Sequence, residues 1–300
     1  MNATPSTVAS STSSVPSQEP SLLSGVNILL EGPTGTGKTW ICGTLGDIPQ
    51  LETFFLFTEA GIESLFAYWS DRGEEIPSNI HWHVLSRGTT NFATLAATAD
   101  TINRQTQDSL HKMQDPQRSQ HNQFVGMLRA LADFPDDRTG KKFGPVDSWG
   151  PSRCLVIDSL TGINPIALSL VVGGKPVKSQ ADWGIAQDQI EKVIRQLTDG
   201  CKCHFVLTAH IEREVDQVLG GTKITVSTLG RALAPKLPPM FSDVILAVRT
   251  GDKWNWSTAN SQADLKTRNL PWSESITPGF KQIFDKWQSR GGRFSTIVKA

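Results

Sequence analysis

The stretch Val26-Asn27-Ile28-Leu29-Leu30-Glu31-Gly32-Pro33-Thr34-Gly35-Thr36-Gly37-Lys38-Thr39 decides the fold. Val26 to Leu30 is a short apolar run, as in strands covered on both faces. One residue later begins Gly32-x4-Gly37-Lys38-Thr39, the full Walker A pattern. Its glycines let main-chain N–H groups come close to anionic oxygens, and a helix from Trp40 to about Leu45 would add the positive end of its dipole. Lys38 is expected to neutralise the charge of a β/γ-phosphate, and Thr39 to place its hydroxyl on Mg²⁺. Gly32, Pro33, Thr34, Gly35, Thr36, Gly37, Lys38, Thr39 and Trp40 are thus the expected nucleotide-binding residues, with ATP and Mg²⁺ as cofactors.

Working outward, further apolar runs read as strands: Thr53–Phe57, a weaker His81–Leu85, Cys154–Asp158, Cys203–Thr208 and Val244–Val248. Ile62, Leu65, Phe66 and Trp69 have helical spacing, as do Ile190, Val193, Ile194 and Leu197 within a helix expected from Trp183 to Leu197. Residues 90–134 read as polar helix interrupted at Pro116, and 135–150 as loop. Residues 164–182, around Gly173-Gly174-Lys175-Pro176, and 212–239 read as long loops. Trp254-Asn255-Trp256 and Ala263–Lys266 are candidates for a β-hairpin. Buried strands alternating with helices predict an α/β fold, a mostly parallel sheet with helices on both faces. Ligands of such sheets lie at the carboxyl ends of the strands.

The polar residues at those ends carry the chemistry. Asp158 ends its strand at the Walker B position, where a carboxylate holds Mg²⁺ directly or through water. Glu59 follows Thr53–Phe57 and could polarise an attacking water; Glu63, one helical turn on, is the alternative. His210, after Phe205–Thr208, could sense a γ-phosphate or simply cap the strand.

With these motifs the chain resembles the RecA-like branch of P-loop ATPases, and more narrowly phage-encoded AAA-domain nucleotide-binding proteins related to phage single-strand-annealing recombinases. The resemblance spans about residues 25–270. It rests on Gly32–Thr39, Phe57-Thr58-Glu59-Ala60-Gly61, Leu155-Val156-Ile157-Asp158-Ser159-Leu160, Val206-Leu207-Thr208-Ala209-His210 and Leu265-Lys266-Thr267-Arg268. It implies a RecA-like core over 25–272, with a helical insertion at about 88–150 to which the resemblance assigns no role. It implies Glu59 as catalytic base and a polar switch at position 210, where the usual Gln is replaced by His210. Lys266 and Arg268 would reach the neighbouring subunit's ATP, which implies a homo-oligomer with ATP at the subunit interface. The loops 164–182 and 212–236 would bind single-stranded DNA through Lys175, Lys178, Arg213, Lys223, Arg231 and Lys236. The activity implied is ATP hydrolysis coupled to DNA recombination or strand annealing, in the cytoplasm of a bacterial host. A nucleotide-gated assembly or packaging factor acting on protein is the alternative, and a helicase-type motor core a third.

Composition bounds these readings. The 300 residues carry 29 Lys+Arg against 29 Asp+Glu, so a globally basic nucleic-acid coat is excluded while a local basic path is not. Residues 249–300 hold nine Lys/Arg against four acids, and 273–300 reads as a basic, weakly structured tail. Residues 1–24 are rich in Ser, Thr and Pro with one charge, Glu19, and are expected to be a disordered tail. Four cysteines are too few for a disulfide scaffold and point to a reducing compartment. No apolar run approaches the ~18 residues of a membrane span, and the first residues lack the pattern of a secretory signal. His81-x-His83 and Cys201-x-Cys203 lack a second pair at metal-ligand spacing. Trp254 and Trp256 share a strand face and are candidates for stacking on bases, with core or interface packing favoured over it.

Overall fold

The computed structural model describes residues 23–85, 91–113, 121–215 and 220–295. Its strands are β1 (Asn27–Glu31), β2 (Glu52–Phe57), β3 (Ile80–Val84), β4 (Arg153–Asp158), β5 (His204–Ala209), β6 (Ile211–Val215), β7 (Thr222–Val226), β8 (Asp243–Thr250) and β9 (Lys253–Ser257). Seven of them form one sheet in the order β3-β2-β4-β5-β1-β8-β9, and β6 and β7 pair separately. Neighbours in the large sheet run parallel except β8 and β9.

The helices are α1 (Lys38–Ile41), α2 (Ile62–Ser70), α3 (Phe92–Arg104), α4 (Gln107–Lys112), α5 (Gln123–Ala132), α6 (Leu160–Val172), α7 (Gln180–Arg195) and α8 (Lys281–Ser289). Strand side chains alternate between faces. Phe54, Leu56 and Phe205 join a core with Phe124 of α5, Ile163 of α6 and Ile190 of α7. Phe55, Phe57 and Val206 join the opposite core with Leu65 of α2 and Ile283 of α8. The expected α/β sandwich, a mostly parallel sheet with helices on both faces, is therefore present. Burial of both strand faces explains the continuous apolar runs in the sequence.

Register aligns the strand ends that matter. Phe57 lies opposite Asp158, and Glu31 opposite Ala209. The residues leaving β1, β2, β4 and β5 therefore emerge along one edge of the sheet. The strand β5 lies between β1 and β4, so its end faces both the Gly32–Thr39 loop and Asp158.

Several expectations need correcting. The loop expected over 164–182 is mostly helix: α6 runs to Val172 through Pro165, burying Ile163, Ala167, Leu168 and Val172 at helical spacing. A proline in the second turn forfeits one main-chain bond, which this packing outweighs. Helix α7 begins earlier than expected, because Ser179 and Asp182 form a capping box. Within 212–239, β6 and β7 form a hairpin whose mixed, half-exposed sequence gives little apolar signal. The tryptophan strand β9 pairs with β8, not with Ala263–Lys266, through a turn in which Gly251 takes φ 63°. Ala263 and Lys266 make isolated bridges to Ile224 and Val244 instead.

The basic segment 273–300, expected to be weakly structured, instead packs on the core over part of its described length. Phe280, Ile283, Phe284 and Trp287 recur at i, i+3, i+4 and i+7 and are buried, while α8 turns its cations outward. The helical insertion at 88–150 divides in two. Helices α3 and α4 bury nothing, whereas Phe124, Met127, Phe134, Val146 and Trp149 belong to the core. The tail expected at 1–24 lies outside the described residues except for Leu23 and Ser24, and so does Pro116. No helix among the described residues is long and apolar enough to cross a membrane.

Candidate functional site

The Gly32–Thr39 loop turns over the carboxyl end of β1. Gly35 and Gly37 have φ of 78° and 72°, in the left-handed region that glycine enters without strain. A methyl group added at Gly35 meets no atom within 4 Å, so the dihedral and an open face, not crowding, favour glycine there. Thr36 Oγ1 donates to the Pro33 carbonyl at 2.8 Å and pins the loop. Lys38 is 7% exposed, and its Nζ donates to the carbonyls of Gly32 and Pro33, both at 2.8 Å. The ammonium is thus held inside the loop's concave face. Burial pulls its pKa down to about 8, against the opposing pull of the Asp158 and Glu59 charges.

Asp158 is where β4 meets this loop. Thr39 Oγ1 donates to Asp158 Oδ2 at 2.7 Å, and Thr208 Oγ1 of β5 donates to Oδ1. Burial raises the Asp158 pKa, and the two hydroxyls and Lys38 work against that rise. The Asp158–Ser159 peptide is cis. Beyond it, Ser159 Oγ donates to Glu59 Oε1 at 2.8 Å, and Thr58 Oγ1 donates to the Ser159 carbonyl at 2.6 Å. Helix α6 starts directly against this link: a methyl added at Gly162 would stand 2.7 Å from Glu59 Cγ.

Thr34–Trp40, Glu59, Asp158 and His210 line one cavity of about 350 Å³. Gly32 and Pro33 do not line it; their carbonyls accept from Lys38 Nζ. Between the alternatives Glu59 and Glu63, Glu59 lines this cavity, while Glu63 lies exposed in the first turn of α2. His210 lines the same cavity as Lys38. Burial and then the Lys38 charge lower its pKa, so its imidazole is biased toward the neutral form.

The donor set suits a hard cation at a phosphate. Thr39 Oγ1 and Asp158 Oδ2 are adjacent oxygens beside an open glycine loop, and Mg²⁺ commonly takes only one or two protein oxygens, with phosphates and water completing its shell. Among the described residues, no cluster of three or more His, Cys, Asp or Glu could hold a metal by itself. His81 and His83 pair instead with Asp136 and Asp137, at 3.0 and 2.9 Å, and Cys201 and Cys203 are buried free thiols.

Lys266 and Arg268 are not part of this cavity. They line a different one of about 630 Å³, with Asn27 and Ser242 at the amino ends of β1 and β8. That end of the sheet is opposite the Gly32–Thr39 loop of the same chain. Lys266 Nζ donates to the Pro239 carbonyl at 3.3 Å, and burial followed by the neighbouring Arg268 charge lowers its pKa. Of the cations expected to meet DNA, Lys223, Arg231 and Lys236 are ion-paired with Asp264, Glu214 and Glu191. Arg213 lies on β6, and Lys175 and Lys178 lie between α6 and α7.

Sequence reasoning quoted Ser159 and Thr208 within motifs without giving either a partner, and it missed Gly162, whose signal was a glycine near a helix start. It also missed Glu31, the residue just before the loop, which is 2% exposed. Trp254 was placed with the core and interface tryptophans, yet it lines the same cavity as Lys38. Comparison with known proteins finds no protein-family model that matches this chain and no significant match among curated proteins.

Proposed function

We propose that this chain is a Mg²⁺-dependent, RecA-like P-loop ATPase that acts on single-stranded DNA in recombination or strand annealing. The observation that carries the ATPase reading is the convergence of Lys38, Thr39, Asp158 and Glu59 at the carboxyl ends of three neighbouring or near-neighbouring strands. Lys38 and the loop amides would bind the triphosphate. Thr39 and Asp158 would hold Mg²⁺, whose chemistry when bound is to neutralise charge on the phosphate oxygens. Glu59, oriented by Ser159, would accept a proton from the attacking water, and His210, next to the start of β6, would report on the γ-phosphate.

The RecA-like branch and the DNA substrate rest on the resemblance of the motifs. So do the proposed homo-oligomer, with Lys266 and Arg268 completing a neighbour's site, and the bacterial-host cytoplasm. Those two residues lie at the far end of their own sheet, so they do not reach the Lys38 cleft of the same chain.

One observation favours the second reading, an assembly or packaging factor acting on protein. Three of the cations expected to meet DNA already have carboxylate partners. The test is ATP turnover with and without single-stranded DNA at low salt. Stimulation with retention of the strand supports the DNA reading. Turnover unchanged by DNA, with no strand retained, transfers the proposal to a protein substrate.

A further inference from the structure

Trp254 and Trp40 form an aromatic wall beside the phosphate loop that binding of a triphosphate alone would leave unused. Trp254 opens β9, and its ring lies against the loop: a methyl added at Gly37 would stand 2.7 Å from Trp254 Cδ2. The Trp40 ring, on α1, lies 5.1 Å from that of Trp254 at 58°, and 4.8 Å from Tyr68 of α2 at 70°. Both indoles are half-buried and line the same 350 Å³ cavity as Lys38 and Asp158. The contrast within the strand is informative. Trp256, two residues on, is 1% exposed and packs on Phe280, as a core tryptophan does. Trp254 is half-buried and lines the polar cleft that holds Lys38. Half-exposed indoles at the edge of a polar site offer a flat apolar surface that water hydrates poorly.

We propose that Trp254, buttressed by Trp40, is the platform on which the base of a nucleoside triphosphate stacks. This rests on the nucleotide reading of the cleft and names the part of the ligand that the loop does not hold. The ligand class is a phosphate ester bearing an aromatic heterocycle. Stacking rewards ring area, so purine nucleotides bind more tightly than pyrimidine nucleotides.

The experiment compares wild type, Trp254→Ala and Trp254→Phe for equilibrium binding of ATP, GTP, CTP and inorganic tripolyphosphate. Trp254→Ala is expected to weaken ATP and GTP by roughly 5- to 150-fold, the range that loss of one base–aromatic stack produces. Tripolyphosphate affinity should stay within about twofold, and Trp254→Phe should recover most of the purine affinity. Wild-type tryptophan emission should be quenched by ATP more than by tripolyphosphate, and Trp254→Phe, which keeps a ring but removes the indole, should abolish that difference. That second readout stands even where the alanine variant folds poorly. Unchanged ATP affinity in Trp254→Ala overturns the inference. So does an equal loss for ATP and tripolyphosphate, which would make the indole a prop for the loop. Failure of the nucleotide reading itself has a separate signature: Lys38→Ala would bind tripolyphosphate as wild type does.

Discussion

Lys38 and Glu31 stand on either side of the loop's first glycines, and burial moves both toward neutrality. The Lys38 ammonium, with its pKa pulled from 10.5 to about 8, is the group that anion binding needs charged. Affinity for ATP or tripolyphosphate should therefore fall as pH rises through about 8, by up to about tenfold per pH unit. A flat affinity between pH 7 and 9.5 would contradict this. Glu31 is pushed up from 4.5 to about 8, by burial first and the Asp264 charge second. Between those values the folded chain keeps a proton that the unfolded chain has released, so this residue costs stability as pH rises and the cost is complete above about 8. Glu31→Gln should be nearly neutral at pH 4.5 and stabilising at pH 8, by something on the order of a few kcal/mol, read from denaturant midpoints at the two pH values. An advantage that shrinks as pH rises would contradict the assignment.

Among the elements, the segment after α5 holds β3 at the edge of the sheet. Asp136 accepts from Thr139 Oγ1 at 2.6 Å and from the Trp82 amide at 3.2 Å, and it pairs with His81 Nδ1 at 3.0 Å. Burial pushes its carboxyl up, but these bonds and that from the Arg138 amide together outweigh it and hold the pKa below 3.8. The stability this supplies is present above 3.8 and lost as pH falls through the lowered value. Asp136→Ala should destabilise by about 1–3 kcal/mol at pH 7, the usual cost of unpairing buried donors. The penalty should shrink in acid; a penalty that stays constant however far pH falls below 3.8 would mean packing, not charge, explains it.

The elements also show what the sequence made legible. Strands buried on both faces announce themselves as unbroken apolar runs, so β1, β2, β4, β5 and β8 were readable, and with them Lys38, Thr39, Glu59 and Asp158 at their ends. Elements with one wet face give weaker signals. Helix α8 hides Ile283 and Trp287 among cations, and α6 hides behind Asn164-Pro165, a pair that more often ends a helix. The position of Trp254 was not legible, because it depends on β9 pairing back along β8, a long-range register that local pattern does not carry.

For the whole molecule, the sheet separates two polar regions. The cleft with Lys38 lies at the carboxyl ends of the strands, and the cavity with Lys266 and Arg268 lies at the amino ends. If subunits stack so that one region meets the other, neither Lys38→Ala nor Arg268→Ala protein is active alone, yet a mixture recovers part of the turnover. Specific activity of wild type then rises with protein concentration. A supplied cation of this kind is worth about 10³–10⁵ in turnover in well-studied GTPases. No recovery on mixing, with a rate independent of concentration, would mean that each subunit works alone.

The most direct measurement is Mg²⁺-dependent phosphate release from ATP by wild type, Lys38→Ala, Asp158→Asn and Glu59→Gln, with ATP binding measured alongside. Wild type should turn over only with Mg²⁺, Lys38→Ala should neither bind nor turn over, and Asp158→Asn should lose the Mg²⁺-dependent rate. Glu59→Gln should bind ATP normally and release phosphate about 10²–10⁴-fold more slowly. Undiminished phosphate release by Lys38→Ala, or no release by any form of the protein including wild type with Mg²⁺ and single-stranded DNA present, would contradict the ATPase assignment.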